Sequence, residues 1–163
     1  MVSGSPQQVT KKLIIIKQLN NNNLKTKKNM ILKKSYQQLF ELNAKIGSYV
    51  KKHPENKISE ALKKFSEKQL SKRFEDYNDE VDDLQINNCL ADDAKQGAIM
   101  KDEKGNRMYS KAGEIKLKSE LKVLREKQVD IHSRIVEDID ELIKELNESE
   151  KEAFAGIVIP ATV

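Results

Sequence analysis

Between Ile115 and Leu146 the apolar residues Leu117, Leu121, Leu124, Ile131, Ile135, Ile139, Leu142 and Leu146 recur in steps of three and four, with Gln128 in the one vacant place. That rhythm draws a single stripe along a helix, and such a stripe needs a surface to cover it. At about 1.5 Å per residue, a helix over this stretch would be a rod of roughly 48 Å, a length that suits a helical hairpin or coiled coil. The rest of the chain then reads as what packs on the rod or hangs from its ends. Only 37% of the 163 residues are hydrophobic, 34% are charged, and tryptophan is absent. So little apolar material argues against a large enzyme core and for elongated helices, in which few buried residues support a wide solvated face.

The remaining segments follow from local signals. Residues 1–8 are small and polar, and Val9–Leu19 carries Leu13, Ile14, Ile15 and Ile16 between Lys11, Lys12 and Lys17, a β-branched run that favours a short strand. The run Asn20–Asn23 is expected to turn. From Ile31 to Lys52 the residues Tyr36, Leu39, Phe40, Leu42, Ile46, Tyr49 and Val50 share a helical face, which His53-Pro54 ends. Asn56 is a suitable cap for a second helix with Ile58, Leu62, Phe65, Leu70, Phe74, Tyr77, Val81 and Leu84 on one side, extending to about Ala98. Turn residues around Gly105 and Asn106 predict a small hairpin or tight connection over 98–109, after which Ser110 can cap the long helix. Residues 147–152 read as a solvated exit, followed by the uncharged stretch Ala153–Val163.

Charge divides the chain. Residues 1–73 hold 17 Lys and Arg against 4 acids, and residues 74–163 hold 13 against 22, so balances of +13 and −9 compose the net +4. Either the halves fold against each other, or each faces a different partner.

No residue set announces a reaction. His53 and His132 stand outside any recognisable constellation, and Cys89 is the only cysteine, which excludes an intrachain disulfide and a cysteine-built zinc site. The fragment Asp76–Val81 has a faint calcium-loop spacing, but Val81 occupies the place where that loop requires glycine. A solvated helix face, or a landing place for the lysines of the N-terminal arm, accounts better for these acids. No enzyme, cofactor or metal is expected, nor a membrane span, since no stretch approaches the roughly 20 apolar residues one needs.

Two segments are candidates for binding. The apolar tail, through Phe154, Ile157, Val158 and Ile159, would either fold back, pairing with Leu13–Ile16, or fill a neighbouring subunit's groove. In the arm, Lys11, Lys12, Lys25, Lys27 and Lys28 would meet phosphates or an acidic partner. Residues 11–34 hold eight lysines and no acid, but neither arginine nor an interleaved aromatic residue accompanies those five, so nucleic acid is admitted and not favoured.

The order of these pieces from about Met30 resembles small helical proteins encoded in the structural and assembly gene clusters of tailed bacteriophages. The matching pieces are Met30-Ile-Leu-Lys-Lys34, a long charged helix, the connection Lys101–Tyr109, a second long helix and an apolar, strand-like end. The resemblance implies a non-enzymatic structural or assembly protein in the virion or host cytoplasm, with other subunits of a large assembly, or further copies of itself, as partners. A small nucleic-acid-binding regulator and a phage inhibitor of a host enzyme are the alternatives. The fold expected is mainly α: an antiparallel long-helix hairpin, coiled-coil-like, with a third shorter helix and minor β-structure from the termini. Its divisions are a basic arm over 1–30, a helical domain over 31–150 and a tail over 151–163.

Overall fold

A computed structural model describes residues 30–92 and 97–161. The chain is mainly helical with small antiparallel β-structure. The first strand, β1 (Ile31–Ser35), runs straight into α1 (Tyr36–Lys52). Ser35 makes that boundary sharp. Its hydroxyl accepts from the Gln38 N–H at 3.1 Å and the Gln38 side chain accepts from the Ser35 N–H at 2.8 Å, a reciprocal capping box. Residues 31–35, expected to be helical, are therefore extended; Ser-x-x-Gln was the signal for the true start.

Asn56 caps the next helix as expected, accepting from the Ser59 N–H at 2.8 Å. From there one continuous helix of 32 residues is the longest in the chain. It comprises α2 (Lys57–Phe65), a π-helical turn (Ser66–Leu70) and α3 (Ser71–Asn88). It stops at Asn88, short of Ala98, because Cys89 turns extended. A β-ribbon follows, with β2 (Ala91–Asp92) against β3 (Ala98–Ile99) and a tip in which Lys101 bridges Arg107. The Asp102 carboxylate accepts from the N–H groups of Lys104 and Asn106, both at 2.9 Å, and Gly105 takes φ of +82°. The hairpin expected over 98–109 is therefore present.

The rod expected over 115–146 is not. It divides into α4 (Lys111–Glu126), capped by Ser110 as anticipated, then β4 (Gln128–His132), a loop and α5 (Asp140–Lys144); α6 (Glu148–Phe154) follows it. Lys127 adopts extended geometry and β4 pairs antiparallel with β1 in the register Ile31↔His132 to Ser35↔Gln128. Along β4 only every second residue turns inward, with Val129 half-buried and Ile131 buried between exposed neighbours. Sheet pairing thus overrides the helical rhythm, and the break falls beside the polar residue that interrupted it. Neither a long-helix hairpin nor a coiled coil forms from this stretch.

The π-turn has a visible consequence. It directs Gln69 onto the outer edge of β4, where its amide donates to the His132 carbonyl at 2.7 Å and accepts from the His132 N–H at 2.6 Å, while Arg73 Nε donates to the Asp130 carbonyl at 3.1 Å. Side chains thereby satisfy an edge that would otherwise offer itself to another strand.

The core gathers Tyr36, Leu39, Leu42, Ile46 and Tyr49 of α1, Ile58, Leu62 and Phe65 of α2, Leu70, Leu124, Ile131, and the C-terminal set Ile139, Ile143, Leu146, Phe154, Ile157, Val158 and Ile159. The tail is thus an inner component of the fold. A boundary at 150/151 would cut α6, whose start is a second capping box between Asn147 and Glu150, so the supposed solvated exit is a helix and the separate tail is corrected. After α6, Gly156 at φ +77° allows a tight return that the Arg134 and Val136 N–H groups hold, donating to the carbonyls of Ile157 and Val158.

Candidate functional site

The helix pair α3 and α4 is where the fold leaves apolar surface open. Lys127 pairs with Glu80 at one end and Asn88 with Glu120 toward the other, so the helices run antiparallel. Asn88 is buried, its amide shared between the Leu84 carbonyl at 2.8 Å and Glu120 at 2.6 Å, and its own carbonyl lies against Gly113. Glycine at 113 is what permits that approach.

Along the inner side of α3, Phe74, Tyr77, Val81 and Leu84 are all only half-buried; on α4, Leu117 and Leu124 are buried while Ile115 and Val123 are 63% and 68% exposed. Between the helices lies a groove of about 710 Å³ with Leu84, Val123 and Leu124 among its walls and Glu80, Asp83, Glu120 and Glu126 on its margins. It is open, apolar in its walls and acidic at its rim.

Glu80 anchors the inner end of this groove. One carboxylate oxygen accepts from Lys127 Nζ at 2.7 Å and the other from the Tyr36 hydroxyl at 3.0 Å. Tyr36 is 2% exposed and packs edge-on against Tyr77, with ring centroids 5.0 Å apart. Burial, then the hydrogen bond to Glu80, push its phenol from 10.0 up to about 12. Since the folded chain holds this proton to higher pH than the unfolded chain, the stability it contributes is complete below pH 10 and lost as pH rises towards 12. Tyr36→Phe should remove about 2–3 kcal/mol of that alkaline decline, seen by comparing denaturant unfolding of the two proteins across the window.

The acidic helix answers the chain's own cations in part. Asp76 faces Lys72 at 3.0 Å and Arg73 at 3.1 Å, and Asp82 faces Arg107 at 2.7 Å. Among the carboxylates of the groove margin, Asp83 and Glu126 have no ion-pair or hydrogen-bond partner among the described residues. The calcium-loop spacing at 76–81 lies within helix, and among the described residues no cluster of three or more His, Cys, Asp or Glu side chains could hold a metal ion.

A second groove, of about 810 Å³, lies between α2 and the segment after β4. Lys57, Lys64, Lys68 and Arg134 border it, with Glu60 as the one carboxylate and Ala61, Ile135 and Val136 as apolar lining. None of the four cations has an ion-pair partner among the described residues.

The residues singled out from sequence fall elsewhere. Phe154, Ile157, Val158 and Ile159 are no more than 1% exposed, so their role as a partner-docking tail is corrected: they complete this chain's own core. Lys11, Lys12, Lys25, Lys27 and Lys28, the expected pairing with Leu13–Ile16, and the arm as landing partner lie outside the described residues. His53 stacks on Tyr49 with ring centroids 4.7 Å apart, and His132 is held through its backbone by Gln69. The groove residues were missed because Val123 interrupts no pattern in the sequence; it stands off the main stripe of α4, and only the packing reveals that nothing among the described residues covers it. Among the described residues no helix is long and apolar enough to cross a membrane. No protein-family model, curated protein or solved structure matches the chain.

Proposed function

We propose that the protein is a non-enzymatic subunit of a larger assembly, and that its α3–α4 groove receives an apolar segment flanked by lysine or arginine from a neighbouring subunit. The observation that carries this reading is the pairing of exposed Val123 with half-buried Leu84 between unpaired margin carboxylates. An apolar occupant would bury the walls, at about 1.5–3 kcal/mol for each large side chain fully covered. Its cations would meet Asp83 and Glu126, which set orientation and partner choice. Two copies joined groove to groove would bring these carboxylates face to face, and like charge disfavours that arrangement. A tailed-phage particle is the proposed setting, on the pieces of the resemblance that the fold retains: Met30-Ile-Leu-Lys-Lys34, one long charged helix and the Lys101–Tyr109 connection.

The probe is a peptide of residues 9–19, whose Leu13–Ile16 run lies between lysines and so has the required chemistry. Fluorescence anisotropy should show it binding the full chain, and Val123→Lys should weaken that binding at least about tenfold without changing the melting temperature. Equal binding by the variant, or no binding at low salt together with a monomeric native mass, would overturn the reading.

A further inference from the structure

We infer that the groove between α2 and the segment following β4 is a phosphate-backbone site for double-stranded nucleic acid. This surface is separate from the α3–α4 groove and does not depend on the role proposed for it.

Three features carry the inference. First, Lys57, Lys64 and Lys68 lie seven and four residues apart on one helix, so they recur along one side over about 16 Å of axis, interrupted only by the π-turn. A single small anion could not engage all three, whereas a strand with one phosphate every 3.4 Å or so presents about five over that length. Second, these lysines and Arg134, across the groove, are exposed and without carboxylate partners among the described residues, and Glu60 is the one acid in the lining. Their charge is available for exchange against condensed counterions. Third, the chain enters the fold at this groove. The Met30 N–H donates to the Ser133 hydroxyl at 2.6 Å and the Met30 carbonyl accepts from the Ser133 N–H at 2.8 Å, and Ser133 is part of the lining. The preceding 29 residues carry six lysines and no acid, so the sequence leading to Met30 has the same sign of charge as the groove. An extended, uniformly charged polyanion suits this better than a short acidic peptide.

The lining also selects the form of nucleic acid. It holds no Phe, Tyr or Trp, and His132 is its one ring, so it offers no row of rings on which successive unpaired bases could stack, which points away from single strands. With lysines in place of a row of arginines, the contact would be to backbone and blind to sequence.

The test is anisotropy titration of the full chain with a labelled random-sequence 30-base-pair duplex between about 50 and 200 mM salt. The expected result is salt-sensitive binding that Lys57→Gln/Lys64→Gln/Lys68→Gln weakens at least about tenfold, with a logarithmic salt slope smaller by about three. Lys57→Arg/Lys64→Arg/Lys68→Arg should restore it. Lys11→Gln/Lys12→Gln/Lys25→Gln/Lys27→Gln/Lys28→Gln should lower the affinity while preserving the groove dependence. Wild-type binding by the glutamine triple variant would overturn the assignment, as would failure of the arginine variant to rescue while folded. Polyglutamate competing as well as duplex would overturn it in favour of an acidic protein partner.

Discussion

Phe154→Ala should lower the stability of the lone chain by about 3–5 kcal/mol, and its melting temperature by roughly 10–20 °C. Phe154 is fully buried, its ring meets Tyr49 edge-on with centroids 5.5 Å apart, and its carbonyl accepts from the Ile157 and Val158 N–H groups at 3.0 and 3.2 Å. Truncation therefore removes an aromatic ring from a filled site and loosens the turn that places Ile157, Val158 and Ile159 in the core. A tail that existed to dock on a neighbour would behave in the opposite way, because its loss would weaken association and leave the isolated chain's melting unchanged. Thermal unfolding at dilute concentration separates the two, and an unshifted midpoint would contradict the packing described.

Gly113→Ala should destabilise the protein by about 1–3 kcal/mol, although helix propensity alone predicts a gain of about 1 kcal/mol at such a position. A Cβ there would stand 2.5 Å from the Asn88 carbonyl oxygen and 3.2 Å from the Ser110 hydroxyl. The first obstacle is backbone and cannot swing aside, so α3 and α4 must move apart, disturbing the buried Asn88 amide between Leu84 and Glu120. Gly47, within α1, supplies the control. A Cβ there meets nothing within 4 Å, and Gly47→Ala should stabilise by about 0.5–1 kcal/mol. Opposite signs for one chemical change, measured by denaturant unfolding, would establish the close approach of the two helices independently of any binding assay. A gain at both positions would count against it.

These expectations show how the proposed function and the fold can be tested apart. Val123 and the groove lysines are exposed, so changing them reads binding with the scaffold intact. Phe154 and Gly113 are scaffold residues, so changing them reads folding.

The sequence by itself determined part of the inner set, although Leu121, Ile135 and Leu142 of the same stripe stay half-buried. Leu117, Leu124, Ile131, Ile139 and Leu146, read from the stripe, are buried, and so are Ile58, Leu62, Phe65 and Leu70 of the second helix. It also placed the Asn56 and Ser110 caps and the hairpin around Gly105, because caps and turns depend on residues a few positions apart. The capping boxes at Ser35 and Asn147 are local in the same way, each pairing with a Gln or Glu three positions on. Only the tertiary structure decided that the stripe is carried by a helix, a strand, a loop and one short helix instead of one rod. Periodic burial can be met by several backbones, and pairing of β4 with β1, residues about a hundred positions apart, chose among them. The same distant packing drew the tail inward, and among the described residues it left the α3–α4 groove uncovered and Lys57, Lys64 and Lys68 without carboxylate partners. Exposure is a property of what the rest of the chain fails to reach, and no local pattern encodes that.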